Sequence, residues 1–171
     1  MRARILIFLA ILATSTGFDQ ASKEWARESL PEGVPQTVIP GYWDWELSKN
    51  PGAAFSVLAT PGDGESHTGL HVMFGIVAAI ALIGIGIAAS RTAPEQRMRR
   101  TAYALIAGGA LGNLIDRIAS GDVTDFVRWH VHSHMWPIFN VADAALLIGV
   151  TLLLVEGMLT RRKSRLPEPA A

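Results

Sequence analysis

The 171-residue chain contains no cysteine, and only 18% of its residues are charged. Without cysteine it can form no disulfide, no thiolate nucleophile and no Cys-based zinc or iron–sulfur site. Lys and Arg together number 15, as do Asp and Glu. This zero net charge argues against a nucleic-acid-binding protein, which needs a basic stripe to neutralise phosphates.

Apolar residues are abundant instead: they make up 50% of the chain, and mean hydropathy is +0.29. Such a composition is atypical of a soluble domain. Of four apolar segments, the second and fourth are long enough to cross a hydrocarbon core of ~30 Å. The first and third reach that length only if their polar outer ends are helical and buried. We predict a mainly α membrane protein with a single integral domain, 1–171, and four transmembrane helices near 5–27, 69–90, 98–117 and 137–160.

The basic residues fix the orientation of this four-span arrangement. Ten of the 15 lie before the first span, between the second and third, or after the fourth. By the positive-inside rule that side is cytoplasmic, and both termini lie there. All five tryptophans fall at the opposite side, as expected of rings gathered at one membrane interface.

The first segment has a second interpretation. Its RAR start, the apolar run ILIFLAILA and the small residues ATSTG also fit a cleaved signal peptide. Asp19, Lys23 and Arg27 then follow at steps of four, which favours a continuing, retained helix with i,i+4 ion pairs.

The segments between the spans differ in character. Residues 31–68 hold five of the nine prolines, and runs such as QTVI, YWDWEL and AAFSVL favour strands, so we predict a small extracytoplasmic β-cradle there. We expect residues 118–136 to form a short outer loop or helix between the third and fourth helices. Residues 161–171 read as a mobile cytoplasmic tail.

Polar residues gather at the outer ends of the predicted spans. Asp19 and Lys23 close the first, and Asn140 and Asp143 open the fourth; the third ends with Asn113, Asp116 and Arg117. The inner half of the bundle is apolar except for Glu156. This pattern favours a site open to the outer leaflet over a pore, which would need polar groups through the full depth.

Carboxylates are the best candidates for chemistry at this site. His130, His132 and His134 alternate, and His67 and His71 lie four apart, but no HExxH motif is present and we predict no metal. If the outer segment folds back over the cavity, Asp125 and Asp143 can share a proton and hydrolyse a peptide bond as an aspartic pair. The structural alternatives are that Asp125 caps a turn and that Asp143 pairs with Arg117 or Lys23.

Five motifs in order, DQASK, NPGAAFS, GNLIDR, VTDF and FNVADA, give the chain a close resemblance to the bacterial lipoprotein signal peptidases (signal peptidase II). The resemblance covers the chain from the first span to the fourth. It implies a four-helix inner-membrane aspartic protease with a periplasmic β-cradle. Such enzymes remove the signal peptide of prolipoproteins just before the diacylglyceryl-modified cysteine.

The resemblance also implies roles for single residues. Asp125 and Asp143 match the catalytic pair. Residues matching the substrate-binding cavity are Asn50, Asn113, Arg117, Asn140, Asp19 and Lys23. For Asp19 and Lys23 a structural role within the helix is an equal alternative. Gly52, Ala53 and Ala54 would keep bulk away from an approaching peptide backbone.

The remaining expectations concern partners and location. No metal or organic cofactor is implied. The partners are diacylglyceryl-modified prolipoproteins and membrane lipid, the protein is expected to be a monomer, and it lies in the bacterial inner membrane with its active site near the outer leaflet. Two other classes stay open from the residues alone: a small transporter or lipid-binding membrane protein that uses the same carboxylates, and a non-catalytic assembly subunit.

Overall fold

The computed structural model describes residues 2–51 and 66–164. Four helices are present in these ranges: α1 (Arg2–Ser29), α2 (Ser66–Ser90), α3 (Arg97–Ala119) and α4 (Val141–Ser164). Four strands accompany them: β1 (Gln36–Ile39), β2 (Trp43–Asn50), β3 (Val123–Val131) and β4 (His134–Met135). The predicted strand AAFSVL and the glycine and alanines of NPGAAFS lie outside the described residues.

Helix α3 is the central helix, and α1, α2 and α4 each pack against it. Its buried face is made of small residues: Ala102, Ala104, Ala107, Gly108, Gly109 and Gly112. A Cβ at Gly109 would collide with the carbonyl oxygen of Ala142 in α4, and one at Gly149 would lie 2.8 Å from the carbonyl oxygen of Ala102. Small residues therefore let α3 and α4 approach backbone to backbone, as in helix pairs packed within membranes.

Three helical segments within the described residues are long and apolar enough to cross a membrane, namely Arg2–Ser29, Met73–Ser90 and Val141–Thr160. Their apolar side chains are largely exposed; Leu6, Ile83 and Leu147 are each at least 65% accessible. Such surfaces fit lipid contact rather than water. Helix α1 runs unbroken from Arg2 to Ser29, so the continuing helix predicted past Asp19 is confirmed.

The four strands form one antiparallel sheet in the order β1-β2-β3-β4. QTVI forms β1, and YWDWEL falls largely in β2, with Gly41 at a φ of 82° in the turn between them. The prediction of a loop or short helix between the third and fourth helices was wrong. VTDFVRWHV, rich in β-branched and aromatic residues, instead forms β3, the longest of the four described strands.

Helix α4 begins at Val141, four residues after the predicted start at 137. Phe139 belongs to the sheet: it forms a bridge with Val127, and its carbonyl accepts the backbone N–H groups of Phe126 and Val127. The helix can start only once this pairing ends. At the other end α4 continues through Ser164, into the region predicted as a tail; residues 165–171 lie outside the described residues.

An aromatic cluster fastens the sheet to the end of α1. Trp25 of α1 makes edge contacts with Trp45 and Phe126, at ring separations of 5.3 and 6.1 Å, and Trp43 packs on Trp45 at 4.7 Å. Phe126 is buried, whereas Trp43 and Trp45 are half-buried and Trp25 is partly exposed, and edge-to-face aromatic contacts of this kind add to the packing free energy. The cluster holds β3 over the C-terminal end of α1, next to the start of α4.

Candidate active site

Asp125 lies in β3 and is only 2% exposed. Each of its carboxylate oxygens accepts a hydrogen bond from an amide: Oδ2 from Asn50 Nδ2 at 2.9 Å, and Oδ1 from Asn140 Nδ2 at 2.7 Å. Burial raises the pKa of Asp125 to about 6, with a further increase from the charge of Asp143, against the two amide hydrogen bonds that lower it. Asp125 therefore keeps its proton to a higher pH than an aspartate in solution does.

Asp143 occupies the first turn of α4 and forms a reciprocal cap with Asn140. The backbone N–H of Asp143 donates to Asn140 Oδ1 at 2.9 Å, and the backbone N–H of Asn140 donates to Asp143 Oδ2 at 3.2 Å. This is a capping-box arrangement, which requires the two residues to be three apart. The spacing in FNVADA therefore fixes the orientation of Asp143 at the helix start.

Asn113 of α3 joins Lys23 of α1 to the residues at the start of α4. Its Oδ1 accepts from Lys23 Nζ at 2.9 Å and from Asn140 Nδ2 at 3.1 Å. Because an ammonium can only donate, the oxygen of Asn113 must face Lys23, and its Nδ2 donates to Asp143 Oδ1 at 2.8 Å. A continuous chain of hydrogen bonds thus runs from Lys23 through Asn113 and Asn140 to both Asp125 and Asp143.

Lys23 is fully buried and forms ion pairs with two carboxylates. Its Nζ lies 2.8 Å from Asp19 Oδ2 and 3.2 Å from Asp116 Oδ2, in addition to its bond with Asn113. Three acceptors match the three donors of an ammonium, which is what a buried cation needs to offset its lost hydration.

The carboxylates around Lys23 also hold backbone groups in place. Asp19 Oδ1 accepts the backbone N–H of Ala142, one of the free donors in the first turn of α4, at 2.8 Å. Asp116 Oδ2 accepts the backbone N–H of Thr124, the residue before Asp125, at 2.9 Å. One buried ion cluster therefore anchors both elements that carry Asp125 and Asp143.

The structure brings most of the predicted site residues into this network: Asp19, Lys23, Asn50, Asn113, Asp125, Asn140 and Asp143. Asp19 and Lys23 are 0% exposed, so neither presents surface to a bound peptide in this conformation. Arg117 lies at the edge of the network, with its guanidinium 5.3 Å from the ring of Phe74 in α2 and Nη1 donating weakly to the carbonyl of Asn113 at 3.4 Å.

Two members of the network were not among the predicted site residues. Asp116 contacts Lys23 and the β3 backbone, as described above. Gln20 Nε2 donates to the carbonyl of Gly112 at 3.0 Å and to Asp116 Oδ1 at 3.3 Å. A signal was present for both: Asp116 lies one helical turn after Asn113, and Gln20 adjoins Asp19. Each therefore shares an outer helix end with a residue that was identified.

Within the described ranges, no three His, Asp or Glu side chains are grouped to hold a metal ion. The side chains of His67 and His71 are outside what the structure describes. Alternating His130, His132 and His134 sit at the far end of β3, where the Nε2 of His130 is 3.0 Å from Asp44 Oδ2.

Fold and site together define a mainly helical membrane protein whose polar centre joins Asp125 and Asp143, through amide side chains, to a buried cluster of Lys23 with two further carboxylates. A family model described as Signal peptidase (SPase) II matches residues 10–159. By this match and the relatives that follow, the chain belongs to the signal peptidase II family and is a peptidase.

Curated relatives and solved structures agree with this assignment. A lipoprotein signal peptidase of Xanthomonas axonopodis pv. citri is 40% identical over 163 residues, covering 95% of this chain and 91% of the relative. One of Xylella fastidiosa is 42% identical over 144 residues, covering 84% and 83%. A bacterial membrane enzyme solved at 2.3 Å by the in meso method superposes with a TM-score of 0.80 at 28% identity, covering 98% of this chain and 96% of that one.

Proposed function

We propose that this protein is an aspartic endopeptidase that removes signal peptides from diacylglyceryl-modified prolipoproteins, cleaving just before the lipid-modified cysteine. The observation that carries the proposal is the bridge made by Asn140. One side chain donates to Asp125 of β3 and, through its cap, orients Asp143 of α4, so one residue links the carboxylates of two different elements. The names of the relatives supply the substrate class.

The environments of the two carboxylates support different roles. Asp125 is enclosed, and burial raises its pKa to about 6, so it keeps its proton to a higher pH than an aspartate in solution and is proposed as the donor. Asp143 is half-buried and lies at a helix N-terminus, where the backbone N–H groups favour a negative charge.

The proposed reaction begins when Asp143 takes a proton from a water molecule. The water oxygen attacks the scissile carbonyl carbon while Asp125 gives its proton to the carbonyl oxygen. Collapse of the resulting gem-diol breaks the C–N bond. The leaving amine then receives a proton from the acid that was formed at Asp143, and Asp125 recovers its own, so the pair returns to its starting state.

We infer that all four helices span the membrane. The composition of α3 alone does not identify it as a span. Helix α3 is surrounded by the other three helices, so its side chains need small size more than lipid solubility. Both termini are cytoplasmic in this arrangement. The sheet and the carboxylates lie at the outer leaflet of the inner membrane, where a diacylated substrate could reach water without leaving the bilayer.

The other site residues divide into two groups. Asn50 and Arg117, each partly exposed, are proposed to contact the peptide. Asn113 and Asn140 are both buried and are proposed to hold the two carboxylates in position; the substrate contact predicted for them stays a prediction. For Asp19 and Lys23 complete burial supports a positioning role: they hold the start of α4 and the amide of Asn113.

The test is cleavage of a lipid-modified precursor by single amide variants. Asp125→Asn and Asp143→Asn should each reduce the rate to background while the protein still folds and inserts, because neither amide can replace its carboxylate in the proton transfers. Asp44→Asn is the matched control: it changes a buried aspartate on the same sheet, which pairs with His130 outside the network, and it should leave cleavage intact.

Three outcomes would contradict the proposal. Substantial cleavage by either single variant would show that the two carboxylates do not act as a catalytic pair. Equal cleavage of an unlipidated precursor would show that the enzyme does not require a lipid-modified substrate. Loss of activity with a metal chelator would point to metal chemistry instead.

A further inference from the structure

A cavity of about 310 Å³ lies at the end of the helices opposite to the sheet. Side chains from three helices and one loop line it: Arg4, Ile5 and Phe8 of α1, Gly86, Ala89 and Ser90 of α2, Thr92, and Arg100 of α3. The lining combines two guanidinium groups and two hydroxyls with a wall of apolar residues. A ligand that matches it must carry both an anionic group and hydrocarbon.

The two arginines are available to a ligand. Among the described residues, no carboxylate lies within ion-pair distance of Arg4 or Arg100, whereas the neighbouring Arg99 is paired with Glu156 at 2.6 Å. Arg100 is also held in place, because its Nη2 donates to the carbonyl oxygens of Ala93 and Pro94 at 3.2 and 2.9 Å. A guanidinium has five donors, so several remain for a phosphate.

The apolar wall continues onto surface that faces lipid. Ile5, which lines the cavity, is 52% exposed, and Ile87 beside Gly86 is 48% exposed. A Cβ added at Gly86 would meet no atom within 4 Å, so the cavity is open at this point of α2. A hydrocarbon chain lying along Gly86 and Phe8 would extend directly into the bilayer.

We propose that this cavity binds one anionic phospholipid of the cytoplasmic leaflet, with the phosphate between Arg4 and Arg100 and an acyl chain along the apolar wall. Basic pockets between transmembrane helices on the cytoplasmic side are suited to such headgroups. Two other cavities among the described residues, one beside Trp43 and Trp136 and one beside Phe18 and Ile148, are not lined by Arg or Lys. The inference rests on the membrane orientation proposed above.

The experiment measures lipid retention by native mass spectrometry on the full-length protein in a neutral detergent. Phosphatidylglycerol, phosphatidylethanolamine and soluble glycerol 3-phosphate are titrated separately. The wild type should retain one phosphatidylglycerol in preference to phosphatidylethanolamine. In Arg4→Gln/Arg100→Gln the apparent affinity should fall roughly 30-fold, the factor expected for two basic contacts with anionic lipid.

The matched control is Arg91→Gln/Arg97→Gln, which removes the same charge from exposed residues at the same end of the molecule. It should retain phosphatidylglycerol like the wild type. An equal loss in this control would overturn the proposal in favour of diffuse surface attraction. Glycerol 3-phosphate bound as tightly as phosphatidylglycerol would overturn it in favour of a free-phosphate site.

A second variant tests the apolar wall without touching either arginine. Gly86→Leu should fill the open space and reduce phosphatidylglycerol retention, and unchanged retention would contradict the proposed acyl position. Because retention is read without any substrate, binding can fail while precursor cleavage persists. Failure of this site is therefore distinguishable from failure of the proposed protease function.

Discussion

Asp125 and Asp143 are chemically identical side chains in different surroundings. Asp125 is enclosed by β3 and two amides, whereas Asp143 is partly open at the first turn of α4. Since removal of water disfavours charge, Asp125 retains its proton to a higher pH than an aspartate in solution. A pair that shares one proton between unequal positions is what an acid and a base acting together require.

The pH dependence of cleavage should follow from this difference. The protonated form of Asp125 is lost as pH rises through its folded pKa of about 6, so kcat/KM should fall on the alkaline side of that value. Asn50 donates to the charged form of Asp125 and therefore lowers its pKa. We expect Asn50→Ala to move the alkaline limb of the kcat/KM profile to higher pH, as measured with a lipidated precursor.

Two features separate this effect from a loss of binding. Asn50 is also a predicted substrate contact, so the variant should reduce kcat/KM on the plateau below the limb, but reduced binding alone would leave the position of the limb unchanged. Ser48→Ala truncates a side chain on the same strand and should not move the limb. A limb displaced to lower pH in Asn50→Ala would contradict the assigned direction.

The sequence predicts which carboxylates belong to the site better than it predicts the contacts that surround them. Asp125 and Asp143 are predictable because one is set among apolar residues and the other opens an apolar helix. Asp116 was visible as a polar residue of GNLIDR, yet its bond to the backbone of Thr124 depends on the register of β3. A contact that joins a helix end to a strand backbone has no local sequence signal.

At the scale of secondary-structure elements, side chains from separate parts of the site hold the start of α4 in place. Asn140 accepts the N–H of Asp143, and Asp19 accepts that of Ala142, so two of the four free donors of the helix have side-chain partners. Asn140 also donates from its Nδ2 to Asp125 and Asn113. One residue thus serves the helix with its oxygen and the site with its nitrogen.

These two roles can be separated by substitution. Asn140→Ser keeps an oxygen that can cap the helix but removes the amide nitrogen. Cleavage should fall roughly 10- to 100-fold, as expected for a lost hydrogen bond to the carboxylate that Asp125 becomes when it gives up its proton. Asn140→Ala removes both functions and should be less stable than the Ser variant by about 1 kcal/mol. Precursor cleavage and chemical unfolding in detergent measure the two effects.

The comparison between the two variants decides the interpretation. Wild-type cleavage by Asn140→Ser would mean that the amide nitrogen does not serve the carboxylates. Equal stability of the Ser and Ala variants would mean that the cap contributes nothing to folding, and that α4 is held by Asp19 and by packing alone.

Elements were predicted well where a single period governs them and poorly where two elements meet. The long apolar runs gave α1, α2 and α4, and QTVI gave β1. Residues 118–136 look like a connecting loop from the helices on either side, yet β3 pairs with β2 and becomes interior to the sheet. Ser48 and Asp125 pair although nearly 80 residues separate them in sequence. Local strand propensity does not specify such a partner, which is set by the tertiary fold.

The whole molecule has two chemically different ends. At one end the sheet, the aromatic cluster and the carboxylates meet the ends of α1 and α3 and the start of α4. At the other end Arg4, Ser90 and Arg100 line a common cavity, and Arg99 pairs with Glu156. Charge of one sign at one end and tryptophans at the other are the features that orient helical membrane proteins.

The lack of native cysteine allows this orientation to be tested with single introduced thiols. Ser133→Cys, in the exposed turn between β3 and β4, should react with a membrane-impermeant maleimide added to intact spheroplasts. Glu95→Cys, in the exposed turn between α2 and α3, should react only after the membrane is opened. The wild type is the unlabelled control. The reverse pattern would place the carboxylates at the cytoplasmic face, where a lipid-modified precursor already translocated across the membrane could not reach them. Labelling of both thiols in intact spheroplasts would contradict the single span, α3, that this arrangement places between the two turns.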